Sequence, residues 1–414
     1  MSLFVRELSM KSLLIKNKIA NSETVNAPSS KPADNRNLRA FSLTEAQATL
    51  KVPFMDLAYQ WRQVRDNVLG SFEDIFDRSA FCLGPYVEKF ENEVANYLGV
   101  THAYGVNSGT SAIHLAVKAL GLRRGDKVLV PSHTFVGTIW GLIYEGIVPV
   151  FCDVAEHCGT IDVDALVKME TKDVRAIIVV HLYGQPANMT KISEFAKDKS
   201  LFVIEDVAQA FGASIDGQML GTIGDVGCFS FYPGKNLGAA GEAGLVITNS
   251  KNLAQKINCL RNHGQSRRYV HDEVGFNYRM DGLQAAVLSA KLPFIESWNN
   301  ERKEIAEEYT KGLTGLPIKL PSKIAQDHVW HLFVIRSEQR DQLKKHLEMH
   351  GVSTGLHYPI PLHQQNIAQS FMTESLILPN TETWATQCLS LPIFPGMTQC
   401  QIQKVVRAVE DFYV

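Results

Sequence analysis

Between Val87 and Leu292 two hydrophobic rhythms alternate along the chain. "KVLVPS", "VPVFCDV", "VRAIIVVHLYG", "LFVIED", "GCFSFYP" and "GLVITN" are short, nearly continuous apolar runs. Runs of that kind read as strands buried on both faces. In "VEKFENEVANYL" the apolar residues instead fall at Val87, Phe90, Val94 and Leu98, one face of a helix. "TSAIHLAVKALG" has the same rhythm and stops at Gly121; "VGTIWGLIYEG", "DVDALVKME" and "TKISEFAKDKS" fall between the strands. Strands separated by helices predict a mostly parallel sheet with both faces covered. Val52 to Leu292 therefore reads as one large α/β domain, without an internal repeat.

From Pro293 the pattern changes. "IESWNNERKEIAEEYTKGL" is a long charged helix of the sort that bridges two lobes. "HLFVIR", "RDQLKKHLEMHGV" and "QIQKVVRAVEDFY" then supply a strand and two helices of a smaller α+β domain, 293–414. At the other end, residues 1–51 differ from both. "NSETVNAPSSKPADNRN" is polar and rich in Ser, Asn and Pro, the composition of a flexible extension. Ahead of it "FVRELSMKSLLIKNKI" has the pattern of a short basic amphipathic helix. A targeting peptide stays open, although the signal-peptide pattern of apolar core and small-residue cleavage site is not present.

Composition narrows the partners. With 41 Lys and Arg against 43 Asp and Glu, the net charge of −2 gives no electrostatic reason to expect nucleic acid or an anionic membrane. No apolar run is long enough to span a bilayer. The seven cysteines are scattered without CxxC pairs. That fits reduced thiols in a cytoplasmic protein better than a disulfide frame or a zinc site.

The candidate chemistry starts at "FSFYPGKNLG", Phe229 to Gly238, where Lys235 sits in a turn bounded by proline and glycine. It is a phosphate loop, a solvated turn, or a lysine kept for chemistry. A Walker loop has the form GxxxxGK[ST]; here six residues separate Gly227 from Gly234, and Asn236 follows the lysine. The phosphate-loop reading fails. "IEDVAQAFGA" places Asp206 just past an apolar strand, at the edge where open α/β sheets bind ligands; a helix N-cap is the alternative. "NSGTSAIHLA" turns at Gly109 directly into a helix, and Thr110 and Ser111 add hydroxyls to an anion-attracting helix end. Phe135 in "PSHTFVG" follows another strand, as core residue or as ligand contact. Together an amine, a carboxylate, a helix end and an aromatic ring meet the needs of pyridoxal phosphate.

At these motifs the sequence resembles the DegT/DnrJ/EryC1/StrS family of pyridoxal-phosphate sugar aminotransferases, of fold type I. The resemblance runs from "VPFMDL" to "LSLPIFPGMT" and includes "CLGPYVEKFE", "HLYGQPANM", "RNHG", "GFNYRMDGLQAAVL" and "HYPIPLH". It implies that Lys235 forms the internal aldimine, that Asp206 pairs with the pyridine nitrogen, and that Gln209 lies near the ring hydroxyl. Thr110, Ser111 and Ser230 would hold the phosphate, and Phe135 would stack on the ring. Asn277 would reach the phosphate of a neighbouring copy, which implies a homodimer. Arg279, His357 and Tyr358 match positions lining the sugar-nucleotide pocket, although Arg279 as an interface ion pair and His357 as a turn cap stay open. His181 and His263 read as structural. The implied reaction moves an amino group from glutamate or glutamine to a nucleotide-linked ketosugar. "HGQSRRYVHDEVGFNYR" resembles members acting at sugar C3. Cyclitol and aminobenzoate relatives, and a non-catalytic paralogue, are the rivals; Lys235 argues against the dehydratases, which carry histidine there.

Overall fold

The structure, a computed structural model, describes residues 50–322, 327–372 and 375–414. All but the last two residues of the extension expected at 1–51 lie outside these. Apart from short hairpins, the chain runs α1 (Ala58–Arg78), α2 (Pro85–Leu98), β1 (His102–Val106), α3 (Gly109–Ala119), β2 (Lys127–Pro131), α4 (Gly137–Tyr144) and β3 (Val148–Cys152). It continues with α5 (Val163–Leu166), β4 (Val174–Val180), α6 (Met189–Lys199), β5 (Phe202–Asp206), β6 (Val226–Ser230), β7 (Gly244–Thr248), α7 (Lys251–Leu260) and α8 (Gly282–Lys291). The last part holds α9 (Ile295–Leu313), β8 (Phe333–Arg336), α10 (Arg340–Met349), α11 (Pro379–Gln387), β9 (Cys388–Leu391) and α12 (Gln399–Tyr413).

The first seven strands form one sheet in the order β1, β7, β6, β5, β4, β2, β3. β7 alone runs against its neighbours; the other pairings are parallel. The continuous apolar runs are explained by burial on both faces. On β4, Ile177 and Val179 enter one apolar layer, while Ile178 and Val180 enter the other. Each such side chain contributes about 1.5–3 kcal/mol by leaving water. Polar signals start several helices: Ser108, Asn188, Ser250 and Asp281 each accept a backbone N–H of the first turn. "DVDALVKME" is shorter than its pattern predicts. After Leu166 the backbone tightens into i→i+3 bonds at Lys168 and Met169, and the helix ends.

In the C-terminal part β8 and β9 pair antiparallel. Phe333, Ile335, Leu389 and Leu391 pack there with Ile305 and Tyr309 of α9, Leu343 of α10, and Val405 and Val409 of α12. Val329, by contrast, joins one apolar layer of the large sheet, and Leu332, Val334 and Trp384 join the other.

Candidate active site

The carboxyl ends of β1, β2, β4, β5 and β6 converge on a cavity of about 580 Å³, the position at which open α/β sheets take ligands. Lys235 reaches it from the connection between β6 and β7. A bond from Lys235 N to Tyr232 O (2.8 Å) closes a turn there, and Phe231 N to Ala243 O (2.8 Å) extends the strand pairing behind it. At Gly234 the side chain of Met55 packs against the turn, its Cε 2.5 Å from where a Cβ would stand. Lys235 is half-buried on the cavity wall. Burial pushes its pKa down to about 8, against the opposing pull of the Asp206 carboxylate.

Asp206 ends β5 and is 5% exposed. Its Oδ2 accepts from Thr138 Oγ1 (2.8 Å) and its Oδ1 from Ala208 N (3.1 Å). Among the described residues it has no ion-pair partner within 4.0 Å. Burial pushes its pKa up, although Thr138, Ala208, Lys235 and His181 pull the other way. A carboxylate in that state is costly to ionise until a cation enters the cavity.

The helix end is shaped for an anion. Ser108 caps α3 and accepts from Ser111 N (3.1 Å), while the N–H groups of the first turn have no partner within the helix. Gly109 lies so close to β6 that a Cβ would meet Ser230 Cβ at 2.7 Å. That contact brings Thr110 and Ser230 to one corner of the cavity, which both line. Ser111 is not among the residues lining the cavity; its hydroxyl shares a 2.9 Å bond with Ser108 Oγ.

Gln209 is held at both ends of its amide. Oε1 accepts from Tyr183 N (2.6 Å) and Nε2 donates to Tyr358 Oη (3.1 Å). The backbone donor fixes which end is oxygen. Phe135 lines the cavity at 56% exposure, which is inconsistent with the core alternative. Its ring stands 5.7 Å from that of Tyr358. The His357 ring stacks on Phe54 at 5.7 Å; its Nδ1 bonds Ser390 Oγ (2.8 Å), and Tyr183 donates its hydroxyl to the His357 carbonyl. Burial, then the charge of Lys235, lowers His357 to about 4.

Asn277 and Arg279 do not line the cavity of their own chain. Asn277 bridges to Asn262, and Arg279 Nη1 donates to Asn262 Oδ1 (2.8 Å). The sequence did not single out the other cavity residues Phe54, Met55, Thr134, Thr138, Glu242 and His331. Thr138 is recoverable only afterwards, one helical turn beyond Thr134, with which it shares a 3.0 Å bond. His181 is structural: its Nδ1 accepts from Ala187 N (3.1 Å), so its Nε2–H donates to Glu205 (3.1 Å).

A family model, described as the DegT/DnrJ/EryC1/StrS aminotransferase family, matches residues 63–410. The dTDP-3-amino-3,4,6-trideoxy-alpha-D-glucose transaminase of Streptomyces venezuelae is 41% identical, over 88% of this chain and 97% of its own. The UDP-N-acetyl-3-dehydro-alpha-D-glucosamine 3-aminotransferase of Acidithiobacillus ferrooxidans is also 41% identical, over 86% and 97%. The crystal structure of S. venezuelae DesV in complex with a ketimine intermediate superposes with a TM-score of 0.85 at 41% identity, covering 88% of this chain and 99% of that one. NtdA from Bacillus subtilis, with bound cofactor PMP, gives 0.81 at 32% identity, covering 87% and 85%.

Proposed function

The chain belongs to the DegT/DnrJ/EryC1/StrS aminotransferase family, whose members use pyridoxal phosphate, and from that premise we propose that it transfers an amino group from glutamate to C3 of a nucleotide-diphosphate-linked ketosugar. The observation that carries this reading is the pairing of Asp206 and Lys235 in one cavity. The carboxylate is buried and short of a cation; the amine is lowered to about 8. Two relatives at 41% identity are named for 3-amino or 3-dehydro sugars, which supports C3.

The residues fit the cofactor. Asp206 has room on its carboxylate for the proton of a pyridine nitrogen. Gln209, which lines the same cavity, would hold the ring hydroxyl. The first turn of α3, with Thr110 and Ser230, would take the phosphate, the dipole of the helix adding to the attraction. Ser111 would act indirectly, by holding the Ser108 cap. Phe135, exposed over the cavity, would cover one face of the ring.

Bound there, pyridoxal phosphate supplies an electron sink for negative charge on the donor's α-carbon. Asp206 keeps the nearby proton in place by staying ionised beside it. Lys235 Nζ takes the proton from the donor's α-carbon and later returns one to the sugar carbon that receives nitrogen. An amine near pKa 8 keeps a usable neutral fraction at neutral pH and is still strong enough to accept a proton.

We assign Arg279 and Asn277 to the active site of a second copy. Among the described residues lining the cavity, Lys235 is the one lysine or arginine. The diphosphate of a nucleotide sugar therefore needs a cation from elsewhere, and Arg279 is free of its own cavity. His357 and Tyr358 would line the sugar end. The test is to incubate the purified protein with pyridoxal phosphate, glutamate and, in parallel, a nucleotide-linked 3-ketosugar, a 4-ketosugar and an inosose, and to follow the amine by mass spectrometry. Amination of the 3-ketosugar is expected. Turnover of the inosose alone would transfer the protein to the cyclitol branch.

A further inference from the structure

The loop from Val329 to Leu332 is held more firmly than a connection requires. Val329 N donates to Gly184 O (3.0 Å) and Leu332 N to Tyr183 O (3.2 Å). Arg302, buried on α9, sends Nη1 to the carbonyls of Trp330 (3.3 Å), His331 (3.3 Å) and Ile393 (2.8 Å). Trp330 has φ 48°, a left-handed conformation that a bulky residue keeps only when its surroundings dictate it, and such strain gathers at functional sites. The loop delivers His331, 8% exposed, to the wall of the cavity that holds Lys235.

Asn236, the residue after Lys235, decides which nitrogen of that ring carries hydrogen. Its Nδ2 donates to Asn299 Oδ1 (2.8 Å) and to Val329 O (2.9 Å). Both amide hydrogens are then used, so Asn236 Oδ1 is the acceptor of the 3.0 Å bond with His331 Nδ1. Nδ1 carries the hydrogen and Nε2 the lone pair. Burial, then the charges of Lys235, Arg302, His357 and His328, holds the ring well below the usual histidine range, so it stays neutral. Nε2 has no hydrogen bond among the described residues, yet it is not sealed from solvent. His331 lines the cavity together with Lys235.

We propose that His331 is a positioning residue whose Nε2 accepts a hydrogen bond from the Lys235 amine whenever that amine is free. A neutral amine has two hydrogens and one lone pair. Fixing one hydrogen on His331 sets the rotation about Cε–Nζ and turns the lone pair toward the carbon to be deprotonated. The proposal rests on the reading of Lys235 as the working amine.

His331→Asn keeps a donor for Asn236 and removes the ε acceptor; His331→Gln carries an amide oxygen back to the ε position. In single-turnover experiments with glutamate, the Asn variant is expected to slow nitrogen transfer ~100-fold, the scale of a misplaced reacting group, and the Gln variant to recover part of it. In the cofactor-free protein, acylation of Lys235 read by mass spectrometry should move to lower pH in the Asn variant, because an acceptor that favours the ammonium form is gone. Wild-type rates together with an unmoved acylation curve would overturn the proposal, while complete loss of transfer in Lys235→Ala would leave the wider reading standing. A Lys235→Ala protein that still transfers nitrogen overturns both. Should the Asn variant fail to fold, long-range ¹H–¹⁵N spectra of histidine-labelled, cofactor-free protein decide. The Nε2 signal of His331 must shift when Lys235 is replaced by alanine, and a signal indifferent to that change contradicts the proposal.

Discussion

Glu205 and Asp206 are neighbours on β5, 0% and 5% exposed, yet burial has opposite outcomes for them. The alternation of the strand sends them to opposite faces. Glu205 accepts from His181 Nε2 (3.1 Å), Gly221 N (2.8 Å), Ile223 N (2.8 Å) and Gly224 N (2.6 Å). Burial alone would raise its pKa; His181 and the amides of Gly224 and Gly221 outweigh it, and the pKa falls. Asp206 accepts two bonds from protein, burial wins, and its pKa rises. One face of the strand end is finished in itself. The other is left short of a positive partner, which is what a site waiting for a protonated ring requires.

The comparison can be broken most severely from the cavity side. Lys235→Ala should abolish nitrogen transfer, a loss on the order of 10⁴-fold or more for an acid–base group. It should also abolish borohydride-dependent labelling of the peptide carrying residue 235, read by mass spectrometry. Asp206→Asn should cost ~10³-fold in rate, the scale of removing a preorganised charge. The cofactor-free variant should at the same time melt no lower than the parent. The sign follows from linkage. A carboxyl whose folded pKa is raised contributes stability below its ordinary value and loses it as pH rises through the folded value. The variant's advantage in melting temperature should therefore grow as pH rises above the ordinary carboxylate value of about 4.

Glu205→Gln should do the reverse, lowering stability by about 1–3 kcal/mol in denaturant titrations, the cost of leaving buried donors poorly paired, with kcat of the folded fraction little changed. Because the pKa of Glu205 is depressed, its contribution is present above the ordinary carboxylate value and disappears as pH falls through the folded value. A smaller effect is expected at the helix end. Gly109→Ala drives a Cβ toward Ser230 and should weaken cofactor affinity roughly tenfold, about 1.4 kcal/mol, in a fluorescence titration. Cofactor capture should also depend on pH: below about 8 the capture rate should climb about tenfold per pH unit, then flatten.

The sheet was legible in the sequence because each strand buried on both faces leaves an unbroken apolar run, as "AIIVV" within β4 shows. Helix α1 was not: Val64, Val68 and Ile75 form its buried stripe, but Leu69 and Phe76 are also apolar and exposed, which blurs the period. In the site, Asp206, Lys235, Gly109 and Phe135 stood beside strand ends, where local pattern and ligand position coincide. Thr138 and His331 did not. Thr138 matters because α4 turns its hydroxyl toward a residue 68 positions away. His331 is set by a bond to Asn236, 95 positions away.

The ring nitrogen tests the central claim most directly. Protein loaded with pyridoxal phosphate labelled with ¹⁵N in the ring should show the chemical shift of a protonated nitrogen from about pH 6 to about pH 9, well above its value in water. Asp206→Asn should show an unprotonated one. An unprotonated ring in the unsubstituted protein would contradict the account.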